Sequence, residues 1–188
     1  MRALVVHESL YGNTAAIAEA VTEGLAQARP DVEVRRLPAA QVGTPGPLQD
    51  LDLLVVGCPT HAWHMSSVRS RTAQVAKDRR EFPDRSHDPD AEAAGVREML
   101  PVITAGAPGV RAAAFDTRLD SRFAGGAAKG LARALHKAGA VVVGRPIGFV
   151  VTGMTGPLRV GELERARAWG RELGALLGLG AAIIAPGE

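Results

Sequence analysis

The sequence predicts an α/β protein: an open sheet of about five parallel strands with helices on both faces. Three observations carry this prediction. Short apolar runs alternate with helical patterns along the whole chain. Three of those runs, Ala3–Val6, Leu53–Val56 and Ala112–Phe115, are apolar at every position instead of every second one. Glycine and proline punctuate the joints between run and helix. A strand apolar on both sides is buried on both sides, as parallel strands covered by crossover helices are.

In chain order, the first strand is Ala3–His7. It feeds a helix over Asn13–Ala28, where Ile17, Val21 and Leu25 recur every fourth residue, Thr22 and Glu23 face away, and Arg29-Pro30 supplies the stop. Val32–Leu37 sets Val32 and Val34 against Glu33 and Arg35, which reads as a peripheral strand with one wet face. Leu53–Gly57 is the third strand. The stretch Lys77–Asp90 carries charges of both signs, two prolines and almost nothing apolar, and reads as a mobile, solvated loop. A short helix around Asp90–Leu100 is expected to stop at Pro101. Arg111–Phe115 is the fourth strand, followed by a helix over Gly126–Ala138 that aligns Leu131 with Leu135 and ends at Gly139. Ala140–Val151 supplies the fifth strand and Thr152–Pro157 a surface loop. The last helix, Gly161–Leu177, places Leu163, Ala166, Gly170, Leu173 and Leu177 on one stripe.

Composition narrows the class. The chain has 188 residues, the size of one domain, which we take as residues 1–188. It balances 22 basic against 20 acidic residues, and 46% of it is hydrophobic, which excludes disordered and collagen-like chains. The lone Cys58 cannot close an internal disulfide or complete a structural zinc site, and favours a reducing, cytoplasmic setting. No targeting segment and no membrane-length apolar run is read. A net charge of +2 and 4% aromatic residues argue against nucleic acid as a partner.

In such a sheet, ligands bind outside the carboxyl ends of the strands, so the loops after the first, third and fourth runs matter most. The first reads His7-Glu8-Ser9-Leu10-Tyr11-Gly12-Asn13-Thr14 and opens directly into a helix. Hydroxyls on Ser9 and Thr14, the Asn13 amide and the free N–H groups of the helix start form a phosphate-sized anion nest, and Gly12 permits close backbone approach. The loop has neither the lysine of a Walker motif nor a G-x-G-x-x-G pattern, so a lone monophosphate suits it better than a triphosphate. The competing explanation is that Ser9, Asn13 and Thr14 merely cap the helix.

The run Ser9-Leu10-Tyr11-Gly12-Asn13-Thr14, closing a strand and opening a helix, resembles the phosphate-binding loop of flavodoxins and related FMN domains. Those usually carry threonine or serine at the places of Ser9 and Tyr11, then glycine, asparagine and threonine; Tyr11 is the departure. The resemblance runs from Met1 to about Leu177 in element order. It implies a flavodoxin-like three-layer sandwich with strand order 2-1-3-4-5, and FMN as cofactor. By the same resemblance, Pro59, Thr60, His61, Ala62 and Trp63 form the loop against one side of the flavin ring, with Trp63 the candidate stacking group and otherwise an ordinary core or loop tryptophan. His61 and His64 are candidate donors to the ring or simply solvated, and Cys58 reads as a small buried hydrophobe. Asp116, Thr117, Arg118 and Leu119 form the second flavin loop, where many flavodoxins place a tyrosine. This chain has none there, so Leu119 or Phe123 covers that face or it stays open. Arg118 either meets charge on the reduced ring or pairs with Asp120. No catalytic residue and no metal ligand is assigned.

Two redox readings follow from the resemblance. One is an electron carrier between a reductase and an acceptor protein. The other is a small FMN oxidoreductase, of the quinone or haem-precursor type, that reacts with a small-molecule acceptor. A third reading is a flavodoxin-like regulatory or interaction module without flavin. Carriers are typically acidic near the flavin, and the net charge of +2 departs from that pattern. Either a monomer or a homodimer is expected, and no membrane association.

Overall fold

The computed structural model describes residues 1–43, 48–61, 64–120 and 126–178. The first half comprises β1 (Arg2–His7), α1 (Asn13–Ala28), β2 (Glu33–Pro38), β3 (Leu53–His61), β4 (His64–Met65) and α2 (Val68–Glu81). The second comprises α3 (Val96–Ala105), β5 (Arg111–Leu119), α4 (Ala127–Lys137), β6 (Val141–Val142), β7 (Ile147–Val151) and α5 (Glu162–Gly178). The sheet runs β2-β1-β3-β5-β6, with β7 also beside β5. All of these pairings are parallel; the short β4 pairs antiparallel to the end of β3.

The two-sided burial read from the apolar runs holds in each central strand. Ala3, Val5, Leu53, Val55, Ala113 and Phe115 face a core shared with α1 and α5. Their neighbours Leu4, Val6, Leu54, Val56, Ala112 and Ala114 face the opposite core with α3 and α4. β2 lies at the sheet edge, and its side chains are exposed or half-buried, as its alternation indicates.

α1 and α5 pack along a seam where backbones nearly touch. A Cβ on Gly24 would collide with the Arg167 carbonyl, and one on Gly170 with the Val21 carbonyl. The buried stripe of α5 is Ala166, Trp169, Gly170, Leu173, Gly174 and Leu177. Leu163, expected on that stripe, is exposed, and Trp169 takes the central place, edge-on to Phe115 and Phe149.

The structure departs from the sequence reading at three further points. Ala140–Val151 is not one strand: β6 pairs with Arg111 and Ala112, β7 with Phe115–Leu119, and the chain breaks between them around Gly144 and Pro146, where Gly144 sits at φ 68°. Pro101 does not stop a helix but lies inside α3, which gives up one intrahelical bond there and starts later than expected. Lys77–Glu81, expected as loop, closes α2, a helix that periodicity does not reveal.

In the rest of that charged stretch, Arg85 meets Asp78 at 2.7 Å, and the Asp88 N–H donates to the Leu10 carbonyl at 2.9 Å; the chain on either side of it gathers around a buried arginine. Arg71 is fully buried on α2, pairs with Glu8 at 3.2 Å and Glu98 at 3.1 Å, and donates to the carbonyls of Ala91 (3.1 Å) and Ala93 (2.7 Å). Ser66 donates to Glu8, whose other oxygen accepts from the Val96 N–H at 2.8 Å. Burial would raise the Glu98 carboxyl, but the N–H groups of Val68 and Gly95 and the Arg71 guanidinium hold it below its ordinary range.

Candidate functional site

The register brings three loop ends together at one edge of the sheet. His7 lies beside Gly57, and Pro59 beside Thr117. A groove opens there between the β1–α1 loop and the ends of β3 and β5. Its walls include Ser9, Leu10, Tyr11, Asn13 and Thr14 from the first loop, Pro59 and Thr60 from β3, and Thr117, Arg118 and Leu119 from β5. Gln74 of α2, Val151 and Met154 complete it.

Gly12 is the N-cap of α1 and adopts φ 82°, a conformation that costs a residue with a side chain about 1 kcal/mol or more. No side chain caps this helix start. The capping alternative is therefore excluded for Ser9, Asn13 and Thr14. Thr14, almost fully buried, instead shares a 2.7 Å hydrogen bond with Thr117, tying the first loop to β5. Asn13 donates to the Thr155 carbonyl at 3.0 Å, tying the same loop to the segment after β7. Ser9 Oγ is buried on the wall of the groove and has no hydrogen-bond partner in the protein. A buried hydroxyl left without a partner costs about 1–3 kcal/mol, and an acceptor reaching the groove would relieve that cost beside the helix N-terminus.

Tyr11 extends away from the first loop and donates to Asp78 at 2.7 Å. Asp78 is fully buried and also accepts from Arg85 (2.7 Å), Gln74 (3.0 Å) and His87 (3.0 Å). Burial favours its protonation, yet those bonds and the Arg85 charge hold its pKa at about 2. Burial and the Asp78 carboxylate push the Tyr11 phenol up to about 12. Leu10 packs with Val75 and Ala91 on the same side. The tyrosine at the unusual place is thus an anchor joining the first loop to α2.

At the other wall, Thr60 accepts from the Ala127 N–H (3.1 Å) and Asp116 from the Ala128 N–H (2.9 Å), so both cap α4. Burial raises the Asp116 carboxyl above its ordinary value despite those bonds. Arg118 lies 3.5 Å from Asp116, its guanidinium filling the space above Gly148 where a Cβ would sit. The partner proposed for it, Asp120, pairs instead with Arg159 at 2.9 Å. Cys58 is fully buried, which pushes its thiol pKa well up.

The same architecture occurs among solved proteins. A flavodoxin from the domain Archaea superposes with TM-score 0.66 at 20% identity, covering 95% of this chain and 100% of that one. This chain has the flavodoxin fold. The flavodiiron protein of Giardia intestinalis matches this flavodoxin-like chain over 94% of its length with TM-score 0.65 and 18% identity, using 36% of its own. A curated NAD(P)H dehydrogenase (quinone) from Gluconacetobacter diazotrophicus is 31% identical over 83 residues, 35% of this chain and 42% of that protein, so the match spans under half of the relative. No protein-family model matches.

Of the residues predicted for the site of this flavodoxin-like chain, Ser9, Leu10, Tyr11, Asn13, Thr14, Pro59, Thr60, Thr117, Arg118 and Leu119 meet at the groove. Gly12 shapes its loop, and Asp116 stands behind it as a cap. His61 ends β3, while Ala62, Trp63 and Phe123 lie outside the described residues. Sequence reasoning missed Gln74 and Asp78, which sit on the unseen helix α2, and Val151 and Met154, which carry no chemical signal of their own. Among the described residues no His, Cys, Asp and Glu cluster could hold a metal ion, and no helix is long and apolar enough to cross a membrane.

Proposed function

We propose that this chain binds FMN with its phosphate at Ser9–Thr14 and passes electrons between that flavin and a small-molecule acceptor of the quinone type. The observation that carries the reading is the buried, unpartnered Ser9 Oγ beside the uncapped start of α1. Ser9 would donate to the phosphate, and the first N–H groups of α1 would complete the nest. Thr14 would hold the loop against β5 through Thr117 and accept or donate with its remaining capacity. Arg118 brings a cation to the groove wall, where it would stabilise negative charge on a reduced ring. FMN, when bound, supplies reversible uptake of electrons at its ring.

Two observations support a small acceptor over a protein one. Among the described residues, the groove rim presents the exposed apolar side chains Leu119 and Met154. The curated relative with 31% identity is a quinone-reducing dehydrogenase by name. A reductase or nicotinamide would supply the electrons, and the single buried cysteine suits work in a reducing cytoplasm.

The test is an FMN titration of the wild-type chain and of Ser9→Ala combined with Thr14→Val, followed by flavin fluorescence. Loss of charge-assisted hydrogen bonds worth about 1.5–3 kcal/mol predicts a Kd at least about tenfold weaker in the variant. Equal affinity, or no binding by the wild type, rejects the assignment.

A further inference from the structure

A second concavity lies away from the cofactor groove, between the outer face of α4 and the open edge of the sheet. It encloses about 590 Å³. Ala132, Ala140, Val141, Val142 and Pro146 form an apolar floor, and Lys129, Arg133 and His136 stand along one rim on successive turns of α4. Among the described residues no Asp or Glu lines it. The charge pattern is a property of the whole region: between Asp120 and Glu162 the sequence holds six Lys or Arg and no acidic residue, so the remainder of the chain is net acidic.

Among the described residues, the backbone beside this rim also forms an open sheet edge. β6 ends the strand order, paired to β5 on one side only. The N–H groups of Val141 and Val143 point inward, to the carbonyls of Val110 (2.9 Å) and Ala112 (2.8 Å). Alternation in a parallel ladder turns the intervening Val142 N–H to the outer edge. An open strand edge, an apolar floor and a cationic rim together ask for an extended chain whose side chains alternate between apolar and carboxylate.

We propose that this edge docks an acidic, extended peptide segment of a partner protein, which adds a strand to β6 and pairs its carboxylates with Lys129, Arg133 and His136. A second copy of this chain is a poor occupant, because an edge-to-edge pair would face one cationic rim with another. Nucleic acid is disfavoured because, among the described residues, no aromatic side chain lines the floor to stack a base. The docking edge pairs with the start of β5 and the cofactor groove with its end, so about 20 Å of strand separates them. A partner held there is tethered, and the groove stays free for its own ligand.

The experiment uses the full chain and a fluorescein-labelled peptide alternating glutamate and valine, followed by anisotropy. Saturable binding is expected, weakened at least about tenfold by Lys129→Glu with Arg133→Glu and by raising salt from roughly 50 to 300 mM. Both side chains are exposed, so the variant should keep its fold; Lys129→Gln with Arg133→Gln serves if circular dichroism shows otherwise. Absence of binding overturns the proposal. So does equal binding of a glutamate–serine peptide, which would make the apolar floor irrelevant, or tighter binding of single-stranded DNA or anionic vesicles at the same salt. FMN affinity is not part of any readout, so the cofactor assignment stands or falls separately.

Discussion

His7 shows at the scale of one residue how position overrides ordinary chemistry. It closes β1 in the interior, its Nδ1 has no partner, and burial together with the Arg36 charge lowers its pKa from 6.5 to about 4. The folded state therefore prefers the neutral ring, while the unfolded chain binds a proton below about pH 6.5. The penalty is present in full below about pH 4 and vanishes above about 6.5, so stability rises across that window by up to roughly 3 kcal/mol. Urea unfolding at several pH values in this window should give a shallower rise for His7→Leu than for the wild type. Parallel curves would show that His7 titrates normally. Ser9 is the complementary case. The sequence reads its hydroxyl as part of an anion nest, with helix capping as the alternative, and in the structure Ser9 Oγ is buried without a partner among the described residues.

At the scale of elements, the seam between α1 and α5 predicts opposite signs for two similar substitutions. Glycine to alanine in a helix interior normally stabilises by about 1 kcal/mol. Gly130→Ala on α4 meets open space and should do so. Gly24→Ala drives its methyl into the Arg167 carbonyl, and thermal melting should show a net loss of at least about 1 kcal/mol. Arg71 makes α2 a helix held by charge. Arg71→Met strands Glu8 in the interior and removes the partner of the half-buried Glu98, with an expected loss of about 3–5 kcal/mol, and residues 82–95 should exchange their amides faster. Unchanged exchange there would mean that the segment is held by something else. This helix also marks the limit of what the sequence discloses. The central strands and α1 are legible because burial writes a periodic apolar pattern. α2 is not, because its inward residues are Arg71, Val75 and Asp78, and two of those three read as surface. The break between β6 and β7 was written in Gly144 and Pro146, but an apolar run on both sides masked it.

Under the proposed assignments the whole molecule would separate three tasks: phosphate binding at the carboxyl edge of the sheet, admission of an acceptor past Leu119 and Met154 beside it, and docking at a basic edge on the far side of the sheet. If the rim admits a small acceptor, the FMN-loaded protein, first reduced with dithionite, should be reoxidised by a simple benzoquinone faster than reduced free FMN of equal concentration, in a stopped-flow absorbance trace. Equal rates would favour a protein acceptor. The site was readable to the extent that its residues are contiguous, as in Ser9–Thr14. Gln74, Val151 and Met154 join it from separate elements, and only topology brings them there. The net charge of +2 also concealed the segregation of basic residues between Asp120 and Glu162. The α1–α5 seam has a last consequence, for the order in which the chain is made. α1 leaves the ribosome well before α5, yet each covers the other's apolar side. At roughly 5–20 residues per second, α1 waits many seconds with Ile17, Val21 and Leu25 uncovered, a window in which a nascent chain depends on chaperones. Completion of this core must await α5, and contacts joining Val21 to Gly170 place it on the slow side of folding rates.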